Sequence, residues 1–165
     1  MKRPRTFHLA FRVTYQTIVS ELITDAKLKP PSSLVGRDSS LWVEIKCLWD
    51  TGATHSVITQ SVVRRLGLRP TGRTLVHGIN SAEERATYMI DIGLPSRVAI
   101  QDVAVTECEI NSPGIDLIVG MNIISMGDFA ISNGPGHTIF SFAMPPFPKP
   151  IDLLEKSNAV NPKHL

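Results

Sequence analysis

The sequence predicts an all-β fold of short strands carrying one long hairpin and one or two short helices. Three observations predict it. Apolar and β-branched residues recur in short alternating runs of strand length. Clusters of Gly, Pro, Asn and Ser punctuate those runs. With 42% hydrophobic and 19% charged residues, the composition is globular, and 165 residues are enough to bury a core.

Residues Thr6 to Thr14 alternate aromatic and β-branched positions and read as a strand. Gln16 to Ala26 fits either element, because Ile18, Val19, Leu22, Ile23 and Ala26 make a helical stripe in a β-branched segment. Pro30 to Ser33 breaks it, and Leu34 to Ser40 reads as a loop. Leu41 to Trp49 is a strand with Glu44 and Lys46 opposed to Ile45 and Cys47. Thr59 to Leu66 reads as a short helix with Gly67 as its cap. Thr74 to His77 and Arg85 to Ile92 make a hairpin around a polar tip, Gly78 to Glu84. Val98 to Ile110 alternates again. Asp116 to Val119 is an apolar strand ending at Gly120, and Met121 to Met126 supplies one or two helical turns. Phe129 to Phe142 is two strands around Asn133 to Gly136. The chain reads as one domain over residues 1–144, in which 1–40 form an N-terminal extension and its strands. Residues 145–165 form a Pro-rich tail expected to be mobile.

A net charge of +2 gives no argument for a nucleic-acid partner. No apolar run reaches membrane-span length, and the basic N-terminus lacks the apolar stretch of an export signal. Two cysteines in such a chain read as free thiols and the expected location is cytoplasmic. The five histidines lack metal-ligand spacing, so neither a metal nor another cofactor is expected.

The stretch that stands out is Cys47 to Thr59, CLWDTGATHSVIT, where Asp50 sits between an apolar strand and a turn. A carboxylate that activates water has to accept its proton, and a lone Asp is a weak base. Two carboxylates held together cannot both ionise, so they share a proton; one acts as base while the other acts as acid. Gly52, lacking a Cβ, permits the close approach of two backbones that this needs. The Thr51 hydroxyl can brace the opposing loop. Ala53 offers the carboxylate no hydroxyl, which suits a less acidic working pH.

The run Leu48 to Ala53, followed by Ser56-Val57-Ile58, resembles the active-site strand and turn of the retropepsin-like (single-domain, retroviral-type) aspartic proteases, cellular or bacterial type. Leu117-Ile118-Val119-Gly120 resembles the apolar-Gly strand that passes behind the catalytic loop in that family, and the 74–92 hairpin lies where the family carries its flap. The resemblance spans roughly Leu41 to Phe142 and implies a closed β-barrel or sandwich. It implies that Asp50 is catalytic, that Thr51, Gly52 and Ala53 form the active-site turn, and that Ile118, Val119 and Gly120 support it. Substrate contacts are implied for Thr54, His55, Gly78, Ile79 and Asn80. Only one Asp-Thr-Gly occurs, so one chain supplies half a site and the resemblance implies a homodimer cutting polypeptide. The alternative is a catalytically silent dimerisation or peptide-binding module on the same fold. Plainer readings of single residues stand beside these: His55 as an exposed loop residue, Trp42 and Trp49 as core, Cys47 as a buried small hydrophobe.

Overall fold

The computed structural model describes residues 7–35, 42–77, 82–95 and 97–161. Among the described residues, ten strands form two sheets, and four short helices lie between or after them. The larger sheet has seven strands in the order β2 (Leu22–Lys29), β3 (Val43–Trp49), β8 (Leu117–Val119), β4 (Val57–Ile58), β7 (Ala99–Glu107), β6 (Ala82–Gly93) and β5 (Gly72–His77). β6 also pairs with β2 through Leu28↔Ile92, so six of these strands close into a barrel and β5 remains as an outer arm. The smaller sheet has the order β1 (Leu9–Thr14), β10 (His137–Met144), β9 (Asp128–Gly134).

Alternation in the sequence becomes a choice of face. Along β3, Ile45, Cys47 and Trp49 are buried while Glu44 and Lys46 face out. Two exposed pairs, Lys27–Glu44 and Lys46–Asp25, lie across β2 and β3 on the solvent side. β10 buries Thr138, Phe140 and Phe142 in the same way. The two sheets meet at an aromatic cluster. Trp49 lies 5.1 Å from Phe140 and 4.9 Å from Phe142 between ring centroids, with Phe11 and Phe129 around it. Its indole N–H donates to Thr24 Oγ1 at 3.0 Å, so a buried polar atom is satisfied.

The ambiguous segment Gln16 to Ala26 resolves toward strand: β2 begins at Leu22, and the apparent helical stripe is overridden by pairing with both β3 and β6. Leu34, expected to open a loop, lies instead in α1 (Ser32–Val35), one helical turn after Pro31, and the rest of that expected loop falls outside the described residues. β4, only two residues long, has too few positions to show a period. The hairpin arms run longer than predicted, 72–77 and 82–93. α2 (Gln60–Leu66) follows the expected signals: Thr59 caps its start, and Gly67 at φ 59° ends it in the left-handed region. Beyond the domain proper, α4 (Leu153–Val160) forms within the Pro-rich segment, its first N–H groups capped by Asp152.

A second buried polar group sits by Lys29, at the opposite end of β2 from the Asp50 turn. Asp91, 1% exposed, interrupts the β6–β7 register. It accepts from Ser32 Oγ at 2.5 Å, Ser32 N–H at 3.1 Å and Asp102 N–H at 3.0 Å. Lys29 Nζ lies 3.6 Å away, itself buried. Burial alone would raise the Asp91 pKa. The Ser32 hydroxyl, the two backbone N–H groups and the Lys29 ammonium outweigh it and hold the carboxyl below the usual range.

Candidate active site

Asp50 stands where β3 leaves the barrel. Its N–H donates to the Val119 carbonyl at 3.0 Å, continuing the parallel β3–β8 pairing by one rung. The carboxylate turns back on its own loop, Oδ1 accepting from Gly52 N–H at 2.8 Å. Ala53 N–H donates to the Asp50 carbonyl at 3.3 Å, so residues 50–53 form a tight turn. Asp50 is half-buried, and Thr51 and Gly52 are exposed beside it.

The turn is braced from beneath by Gly120. A Cβ there would lie 2.7 Å from the His55 carbonyl carbon and 2.8 Å from the Ala53 and His55 oxygens. Only a glycine lets β8 pass so close. α3 (Met121–Ile124) begins directly after it, and its N–H groups are used by the loop. Met121 N–H donates to the Ala53 carbonyl at 2.8 Å and Asn122 N–H to the Thr54 carbonyl at 3.1 Å. Ser56, fully buried, completes the brace. Its hydroxyl donates to Asn122 Oδ1 at 2.8 Å and accepts from Gly120 N–H at 3.0 Å, and its N–H reaches the same Oδ1 at 2.9 Å. Asn122 carries no signal of its own in the sequence beyond its place two residues after Gly120. Ser56 enters the sequence reading only within the run Ser56-Val57-Ile58, with no role of its own.

A row of paired residues crosses the barrel from the turn, apolar at its Asp50 end and carrying threonines at the other. Cross-strand partners line up as Leu48, Ile118, Val57, Thr106 and Thr87, one from each of β3, β8, β4, β7 and β6. Partners in register point to one face, and Leu48, Ile118 and Val57 are only half-buried on it. At about 4.8 Å per strand the row extends roughly 19 Å. It begins at Leu48, two residues before Asp50, and ends at Thr87, where the β5–β6 hairpin rises. The hairpin arms are exposed along Gly72 to Leu75 and Ala82 to Glu84. Gly78, Ile79 and Asn80, expected at its tip, lie outside the described residues. Thr54 and His55 are exposed at the turn. Val119 is buried beneath it, while Ile118 joins the row.

On its other side, Asp50 borders a groove of about 440 Å³ between the 19–22 segment and the free edge of β9. Thr51, Leu22, Phe129, Ile131 and Asn133 line it. The neighbouring thiol of Cys47 is fully buried, and burial pushes it up to about 11, so it is a packing group with no thiolate to offer at neutral pH.

A family model described as aspartyl protease matches residues 42–123, about half of the chain, and spans Asp50, the hairpin and Gly120. Among solved structures, a retropepsin-like aspartic protease from Rickettsia conorii aligns over 84% of this chain and 96% of its own, at 14% identity and a TM-score of 0.51. The EIAV protease complexed with the inhibitor HBY-793 aligns over 68% of this chain and 92% of its own, at 21% identity and a TM-score of 0.45. The retroviral protease-like domain of Ddi1 from Leishmania major aligns over 74% and 95%, at 16% identity and a TM-score of 0.43. No curated protein matches the sequence.

Proposed function

Starting from a chain that belongs over residues 42–123 to the aspartyl proteases, with a retropepsin-like fold, we propose that it is an aspartic endopeptidase acting as a homodimer. Its catalytic pair is Asp50 and Asp50 of the partner subunit. The observation that carries the reading is the half-buried Asp50 carboxylate on a turn braced by Gly120, Ser56 and Asn122.

The chemistry follows from that pair. The ionised carboxylate takes a proton from water as the water oxygen attacks the peptide carbonyl carbon. The protonated partner donates to the carbonyl oxygen, and a proton is then returned to the leaving nitrogen. Gly52 leaves room for two turns to approach, and Thr51 reaches across to brace the opposing loop. The substrate lies extended along the Leu48–Thr87 row under the hairpin, held as an added strand with alternate side chains in pockets. Leu48, Ile118 and Val57 make those pockets apolar, so the enzyme prefers apolar side chains beside the cut. Thr54, His55 and the 78–80 tip contact the peptide further out. The partner covers the β9 edge beside Asp50, which pairs the free backbone groups of Ile131 to Asn133. Two unpaired thiols among the described residues fit a cytoplasmic location.

The test is Asp50→Asn. The variant should fold and dimerise as wild type and lose turnover of an unstructured peptide by at least roughly 10²–10⁴-fold. Mixing it with wild type should lower activity as the square of the wild-type fraction, since each mixed dimer holds one ionisable Asp50. A linear fall on mixing would show that each chain works alone and reject the dyad. A wild-type dimer that binds peptide without cutting it would make the fold a silent binding module.

A further inference from the structure

A cavity of about 600 Å³ opens where the start of β3, the middle of β2 and the turn between β6 and β7 meet. That volume falls in the range of small-molecule sites. The cavity is separate from the Asp50 site. Ile45 on its wall lies roughly 16 Å back along β3 from Asp50, at about 3.3 Å per residue. Ala26, Ile45, Leu94 and Val98, all buried, make the wall apolar. Trp42 also lines it and is 36% exposed, although its sequence context suggests core. Its indole is seated against Gly93, where a Cβ would come within 3.2 Å of the ring. Lys29 Nζ stands 5.1 Å from the ring centroid and covers one face. That ammonium is already engaged, by Ser32 Oγ at 2.7 Å and by Asp91 at 3.6 Å.

Arg97 supplies the charge. It sits at φ 65°, in the left-handed region that disfavours every residue with a Cβ. The turn that holds it there is closed by Leu94 N–H on the Val98 carbonyl at 2.8 Å and Arg97 N–H on the Leu94 carbonyl at 3.2 Å. A glycine would make the same turn without strain, and the chain carries a guanidinium instead. Strain of this kind points to a use for the side chain. Arg97 is exposed beside the apolar wall and forms no ion pair among the described residues. The two carboxylates on the wall are taken: Glu44 pairs with Lys27 and Asp25 with Lys46, each at 3.0 Å. The uncompensated charge at the cavity is therefore positive.

We infer that this cavity is a binding site for a small aromatic carboxylic acid. The flat apolar body lies against Trp42 and the apolar wall, where stacking and burial favour it. The carboxylate takes a pair of N–H groups from the Arg97 guanidinium, whose planar fork matches it. An uncharged ring would leave Arg97 unanswered, and a cationic one would meet it with like charge. The site thus selects the acid over its alcohol or amine. This inference goes beyond the proposed protease activity and does not rest on it.

The chain has two tryptophans, so its two indole N–H signals give a test with built-in location. Trp42 reports the cavity, while Trp49 borders the groove beside Asp50. The isotope-labelled full chain is titrated with naphthylacetate and followed by proton–nitrogen correlation spectra, with Trp42→Phe assigning the signals. The Trp42 signal should shift and saturate while the Trp49 signal stays still. Naphthylethanol, the same ring without the charge, should bind at least about tenfold more weakly. Arg97→Gln should weaken naphthylacetate by at least about tenfold. Arg97→Gly relieves the left-handed strain, so it should melt no lower than wild type without ligand and lose the same affinity. Its weakened binding then cannot come from a damaged fold. No saturable shift at millimolar probe, a response centred on Trp49, equal binding of acid and alcohol, or full affinity in both Arg97 variants overturns the inference. Each of those results leaves the protease reading untouched.

Discussion

Gly120 lies directly under His55, with room for a hydrogen and none for a methyl: a Cβ would come within 2.7 Å of the His55 carbonyl carbon. The obstacle is backbone, which cannot swing aside as a side chain can. Gly120→Ala should therefore push the 50–55 turn away from β8. A cost of about 1–3 kcal/mol is expected for such overpacking, or roughly 2–10 °C in melting temperature for a chain of this size. Activity should fall further than stability, because the displaced loop is the one that presents Asp50. Calorimetry and peptide hydrolysis on the same preparation check both. Unchanged melting and activity would mean that the brace is slack.

Asn122 offers one oxygen to two Ser56 donors. Asn122→Leu should leave both buried and unpaired, at about 1–3 kcal/mol for each unsatisfied group. Asn122→Asp keeps an acceptor in place and should recover most of the loss at neutral pH. Chemical denaturation of the two variants checks the ordering. Equal losses would place the effect in shape rather than in hydrogen bonding.

Asp91 gives the fold an acid limit. Its carboxyl is held below the ordinary value by Ser32, Asp102 N–H and Lys29 against the opposing effect of burial. A depressed folded-state pKa contributes stability that is fully present above the unfolded value, near 3.9, and is lost as pH falls through the folded one. Stability should thus hold above about pH 5 and decline below about pH 4. Asp91→Asn leaves Lys29 buried without its charge partner and should cost about 3–5 kcal/mol at pH 7. The gap between variant and wild type should narrow as the medium is acidified below pH 4. A gap independent of pH would assign the cost to geometry alone.

Ile131 is 49% exposed on the free edge of β9 and lines the groove beside Asp50. Ile131→Lys should leave the fold of a single chain within about 0.5 kcal/mol of wild type, as for other surface changes. It should weaken association, because a charge is brought into the surface proposed to face the second copy. Sedimentation equilibrium and the concentration dependence of activity should both shift to higher protein. An unaltered association constant would move the interface elsewhere.

Much of this was legible in the residues. Alternation along Glu44 to Cys47 announced β3, and Thr59 with Gly67 marked both ends of α2, because those signals are local. The Asp50-Thr51-Gly52 turn and the Leu117–Gly120 strand could be joined only through a resemblance; their contact spans about 70 residues and leaves no periodic trace. The pairing of Ser56 with Asn122 is invisible in the sequence for that reason, although Ser56 belongs to the run that carries the resemblance. Each looks like a surface residue until the chain closes and finds the other. Gln16 to Ala26 was ambiguous since its apolar spacing serves both periods, and pairing with β6 decided it. The α4 helix was missed because four prolines dominate the composition around a local cap at Asp152.

The small sheet joins the two ends of the domain: Leu9 pairs with Met144 and Thr14 with Ile139. During synthesis β1 therefore emerges before β10, its one strand partner among the described residues, and waits until β10 leaves the ribosome. At about 5–20 residues per second that delay is several seconds to half a minute. For that interval Phe11 has no Phe140 or Phe142 to meet, and one wall of the groove beside Asp50 does not exist. In the dimer proposed above, a nascent chain is consequently unable to present a finished surface to a completed neighbour on the same message. The threading of the fold postpones that proposed assembly, and the cutting proposed to depend on it, until translation of the domain is over.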